Sequence, residues 1–133
     1  MQISGKISSV ELSPYEAFIE FTDSNVSDVF SITVQSHIEA PLEGLSINQL
    51  FELDCILWLG IIKSVSQTPK ATHMSQPDRQ NGTIGCGKVM TIIDRDTFII
   101  EINGGSIRLE TELDYTVTKG SFVNFTAELH SEI

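Results

Sequence analysis

Three observations predict an all-β fold. Val, Ile, Thr and Phe recur in short runs broken by Gly, Pro, Asn, Asp and Ser, which is the composition of strands and turns rather than of helices. Asn103-Gly104 stands between two alternating segments and supplies the positive φ angles of a tight hairpin. A construction also appears twice: Gly5-Lys6-Ile7 leads to Phe18-Ile19-Glu20-Phe21, and Gly87-Lys88-Val89 leads to Phe98-Ile99-Ile100-Glu101-Ile102.

In chain order, the alternation places strands near 2–12, 15–22, 28–35 and 50–63, then near 84–93, 97–102, 106–112 and 121–130. Ser13-Pro14 turns the chain between the first two. At most a short helix or 3₁₀ turn fits near 38–49, where Pro41 and Gly44 interrupt a longer period and Ser46 is a candidate cap. Within the strand read at 50–63, Cys55–Ile62 is apolar on both alternating faces around Trp58, so this strand is either central to the packed interior or has one face at a homodimer or partner interface. In the last strand, Val123, Phe125, Ala127 and Leu129 face one way, and Asn124, Thr126, Glu128 and His130 form the wet side.

These elements divide the chain into a first β unit at 1–66, a Ser-, Thr-, Gln- and Pro-rich linker or exposed loop at 67–82, and a second β unit at 83–133. A unit of this size would be marginal alone, so the two are expected to pack together. Three strands, a connection and a returning strand in each unit resemble the OB-fold and its small-barrel relatives. The resemblance implies two OB-like barrels, one joint barrel, or a sandwich.

The chain carries 18 carboxylates against eight Lys and Arg, a formal charge of −10. Residues 1–66 hold nine carboxylates and two lysines, whereas 67–133 hold nine carboxylates and six basic residues. Such a field disfavours phosphate backbones and favours a basic partner. The candidate protein-binding residues are therefore Glu11, Glu16, Glu20, Asp23 and Asp28, with Tyr15 as the exposed aromatic among them. Glu110, Glu112 and Asp114 join them at period two on one face of an extended strand. If nucleic acid is bound instead, an OB-type single-strand binder would use Lys88, Arg95, Arg108 and Lys119.

No catalytic residues, metal ligands or cofactor fingerprint stand out, and the reading is non-enzymatic. Gly82-Thr83-Ile84-Gly85-Cys86-Gly87-Lys88 lacks the P-loop spacing and the hydroxyl residue after the lysine. His37, His73 and His130 are isolated from one another and are read as surface residues. Cys55 lies on an apolar face, while Cys86, between two glycines, is the more accessible thiol. Met1–Lys6 has no basic start before an apolar core, Cys55–Ile62 is too short to span a bilayer, and two cysteines make no disulfide framework, so a cytoplasmic protein with no membrane contact is expected. Size and charge together match acidic inhibitor or immunity proteins, including phage proteins that act against host defence by masking a basic surface.

Overall fold

The computed structural model describes residues 1–36, 44–78 and 82–133. Nine strands form one sheet: β1 (Gln2–Leu12), β2 (Glu16–Thr22), β3 (Ser31–Gln35), β4 (Leu50–Ser66), β5 (His73–Ser75), β6 (Gly82–Asp94), β7 (Thr97–Ile102), β8 (Gly105–Thr111) and β9 (Phe122–Glu132). No helix occurs among the described residues, and so none that is long and apolar enough to cross a membrane. Of the short helix expected near 38–49, residues 38–43 lie outside the described residues. Residues 44–49 form a turn in which the Ser46 N–H and hydroxyl donate to the Gln49 side-chain carbonyl and the Gln49 N–H donates to the Ser46 backbone carbonyl.

Each expected strand is present, with shifted ends. The strand read at 50–63 runs on to Ser66, and the one read at 121–130 to Glu132. These extensions matter because β4 and β9 are each long enough to serve two neighbourhoods. One circuit of pairing runs β1–β2–β3–β9–β4 and closes back on β1. The other runs β6–β7–β8–β4–β9 and closes back on β6. The amino-terminal half of β4 lies beside β1 in the first circuit, and its carboxy-terminal half runs parallel to β8 in the second. β9 does the reverse, lying beside β6 and then parallel to β3. Each circuit therefore draws strands from both 1–66 and 83–133.

The registers of the two circuits correspond. Lys6 pairs with Thr22 and Leu50, and Lys88 pairs with Glu101 and Phe122. A bulge follows Ile7 in one ladder and Val89 in the other. This register sets Ile19, not Phe18, in the place of Phe98, one residue away from the match suggested by the two aromatic-led runs. The two Gly-Lys pairs mark the point where β1 and β6 change partner. A Cβ on Gly5 would come within 3.2 Å of the Phe21 ring, and one on Gly87 within 2.8 Å of Ile100, so the glycines admit the side chain opposite.

A single hydrophobic cluster fills both circuits, with Phe21, Phe98 and Phe125 among its largest fully buried side chains. Burial of each such ring stabilises the fold by about 1.5–3 kcal/mol. Part of the stretch expected to be an exposed connection joins this interior. Met74 of β5 is 3% exposed, and Gln76 is buried beside it. The β5 strand pairs with β6, while the Gln76 backbone N–H donates to the Asp28 carbonyl, so residues 73–76 tie β6 to the connection between β2 and β3.

Candidate functional site

The two long strands cross at Leu57 and Leu129, which pair with each other and face the core. Strand alternation then puts Ile56 and Trp58 of β4, and Glu128 and His130 of β9, on the opposite, outer face. Ile56 pairs with His130 and Trp58 with Glu128, which brings the two rings diagonally together. They stack with centroids 3.8 Å apart and an interplanar angle of 21°. Just beyond Trp58, Leu59 takes a φ of 52° at a bulge, which resets the alternation so that Gly60 and Ile62 become buried.

His130 was expected on the wet side of its strand, yet it is fully buried. The indole that shields it lies on a different strand, so the local pattern carries no sign of it. Among the described residues, the buried side-chain nitrogens and oxygens without a hydrogen-bond partner are three: Trp58 Nε1, His130 Nδ1 and His130 Nε2. Glu132 Oε1 lies 3.6 Å from Nε2, beyond hydrogen-bond range. Burial lowers the His130 pKa, against the opposing pull of Glu132, Glu16 and Glu110, and the net direction is downward.

A pH dependence follows. The folded ring has a lower pKa than the unfolded one, so the unfolded chain takes up a proton first as pH falls. The stabilisation by neutral His130 is complete above the ordinary imidazole value of about 6.5 and is lost progressively below it. Chemical denaturation at about pH 7.5 and about pH 5.5 is expected to show a weaker fold at the lower pH, and His130→Phe is expected to remove most of that difference. An unchanged difference in the variant would assign the acid sensitivity to other groups.

Three carboxylates that act on His130 come from three strands: Glu16 from β2, Glu110 from β8 and Glu132 from β9. The fold thus brings together Glu16 and Glu110, far apart in sequence, on the face that carries Trp58. Gln35 Nε2 donates to Glu16 Oε2 at 2.9 Å and fixes its position. Glu11 and Glu16 line one shallow hollow of about 230 Å³ with Leu12, Ser13 and Phe18, and Tyr15 is exposed in the adjoining turn. Glu20 is half-buried on β2 opposite Ser31.

The remaining acidic candidates lie elsewhere. Asp23 and Asp28 occupy the connection after β2 with φ of 55° and 66°, a conformation that acidic turn residues tolerate. Glu112 and Asp114 do not continue a strand face from Glu110, because β8 ends at Thr111. The Glu112 N–H instead donates to the Gly60 carbonyl. The basic candidates are spread over separate elements. Arg108 Nε lies 3.3 Å from Glu110 Oε1, Lys88 pairs across its ladder with Glu101, and Arg95 and Lys119 occupy turns.

Neither thiol is poised to react. Cys55 is buried and its pKa is pushed up to about 12 by burial, outweighing the attraction of the amino terminus. Cys86, expected to be accessible, lies beneath β5 opposite His73, and burial raises its pKa also. Among the described residues no three His, Cys, Asp or Glu side chains are grouped so as to hold a metal ion. Comparison with protein-family models, curated proteins and solved structures returns no match.

Proposed function

We propose that this chain is a non-enzymatic binding module built from two OB-like units, and that its acidic outer face engages a basic surface on a protein partner. The observation that carries the reading is the convergence of Glu16, Glu110 and Glu132 around the Trp58–His130 stack. The two circuits of pairing, each of five strands with one parallel contact, support the OB comparison. OB-folds bind ligands across their second and third strands. The corresponding strands here are β2–β3 and β7–β8.

The half-buried and exposed positions of those strands hold Glu16, Phe18 and Glu20 in one unit and Glu101, Arg108 and Glu110 in the other. A nucleic acid on that face would meet carboxylates where it needs Lys and Arg. A basic protein surface meets charge complementarity and, at Phe18 and Trp58, apolar area. Masking of a basic surface is the work of an inhibitor or immunity protein, and two free buried cysteines suit the reducing cytoplasm.

The test is a titration of isotope-labelled protein at low ionic strength with a cationic peptide and, separately, with a single-stranded oligonucleotide. Peptide-induced shifts are expected at 16–20, 33–35, 108–110 and 128–132, and Glu16→Lys combined with Glu110→Lys is expected to weaken binding about tenfold. Shifts scattered over the whole surface would remove the site. Saturable binding of the oligonucleotide with none of the peptide would favour the nucleic-acid reading.

A further inference from the structure

The cluster of unpartnered nitrogens at the strand crossing narrows the partner further. Buried polar atoms without hydrogen bonds destabilise a fold by about 1–3 kcal/mol each, and here three of them lie on two stacked rings. Carboxylates approach this spot from separate strands: Glu16 on β2, Glu110 on β8, and Glu128 and Glu132 on β9. β3 contributes Thr33, which pairs with His130, and β4 contributes Ile56 and Trp58. Arg108 of β8 lies 3.3 Å from Glu110 Oε1, so the charged groups around this spot are four carboxylates and one guanidinium, and the central group is an imidazole that burial shifts toward its neutral form.

A neutral imidazole has one N–H and one lone-pair nitrogen, so it asks for a donor as well as an acceptor. The four carboxylates and the indole favour a cation. A guanidinium supplies both the donor for the lone-pair nitrogen and the cation, since it is planar, presents five N–H donors, stacks on aromatic faces and pairs with carboxylates. An ammonium has the charge without the plane. We propose that an arginine of the basic partner seats on the Trp58–His130 pair, its guanidinium donating to the lone-pair nitrogen of neutral His130 and lying among Glu16, Glu110 and Glu132. This rests on the reading of the acidic face given above.

Entry is through Glu132. Its side chain is 54% exposed and its carboxylate lies 3.6 Å from Nε2, so it is placed to swing outward and pair with the incoming group. A proton and the guanidinium compete for one nitrogen, so binding requires His130 to be neutral. Protonation removes the lone pair and adds a like charge.

The experiment is calorimetric titration of the native chain, His130→Phe and Trp58→Leu with oligo-arginine and oligo-lysine peptides of equal length, at pH values from about 7.5 down to about 5. The native chain is expected to bind the arginine peptide about fivefold tighter than the lysine peptide at the upper pH. On acidification it is expected to lose about threefold more arginine-peptide affinity than His130→Phe does. Trp58 is the single tryptophan, so its emission is expected to respond to the arginine peptide and to report whether each histidine variant remains folded. Equal affinity for the two peptides, or the same pH dependence in the native chain and His130→Phe, would overturn the arginine seat while leaving an acidic binding face intact. Failure of both peptides to bind at any pH would remove the face itself, and the seat with it.

Discussion

Replacing Gln76 with alanine is expected to lower the unfolding free energy by about 4 kcal/mol, read as a fall in the urea midpoint with little change in slope. The side-chain amide acts as a short piece of strand. Its Oε1 accepts from the Phe30 and Ser31 N–H groups, both at 2.8 Å, and from the Ser31 hydroxyl at 3.1 Å. Its Nε2 donates to the Ser31 carbonyl at 2.8 Å and to Thr83 Oγ1 at 3.2 Å. Ser31 is fully buried, so water does not replace these bonds without opening the structure.

An isolated hydrogen bond contributes only about 1 kcal/mol net, but leaving several buried groups at Ser31 without this partner costs about 1–3 kcal/mol each. Domains of this kind hold about 5–15 kcal/mol in all. Gln76→Glu is the sharper variant, because it keeps an acceptor for the N–H groups and sets an oxygen against the Ser31 carbonyl. A loss below about 1 kcal/mol for Gln76→Ala would mean that the amide is dispensable and that the pairing of β5 and the backbone bond from Gln76 to Asp28 suffice to hold the stretch.

What could be read from residues one at a time was the local grammar of the chain. Alternation placed all but one of the strands, and Asn103-Gly104 placed a two-residue hairpin because its φ angles are a local matter. The parallel contacts of β3 with β9 and β4 with β8 were not legible. They join residues far apart in sequence, and alternation says which face is buried without saying which strand lies alongside. Four strands were read in each unit, and the sharing of β4 and β9 between the two circuits of pairing was not legible either. The strand β5 escaped notice because three residues between prolines carry too little pattern.

The site shows the same division. The acidity of the face was legible as composition, and Glu16 and Glu110 were among the residues singled out, but their convergence depends on β8 lying beside β4 and on β3 setting β2 one strand away from β9. His130 was misread because alternation assigns a face, not a cover, and the cover is Trp58 on another strand. One signal was available. Residues 55–62 were apolar on both faces, which calls for something packed against the outer face, and His130 is part of what Trp58 meets there. Gln76 offered none, since a glutamine in a Ser- and Pro-rich stretch looks like a surface residue until Ser31 is brought to it.

Gly85→Ala tests whether β5 and Gln76 act as one clasp. A Cβ at Gly85 would collide with the His73 carbonyl oxygen and lie 2.8 Å from Phe125 Cζ and 3.2 Å from Met74 Cα. Two of these three are backbone atoms of β5, which cannot move aside as a side-chain tip can, and the third belongs to a buried ring. The methyl group therefore expels β5 from its pairing with β6, in which Met74 lies opposite Gly85. Overpacking of this kind costs about 1–3 kcal/mol, and loss of Met74 burial adds to it, so about 4 kcal/mol is expected. Gln76 follows Ser75 directly, so a displaced β5 carries the amide away from Ser31. The two substitutions then break the same structure, and the double variant Gly85→Ala with Gln76→Ala is expected to fall short of the sum of the single losses by about 2 kcal/mol or more. Strict additivity would separate them, showing that the amide keeps its hold on Ser31 after the strand has left β6.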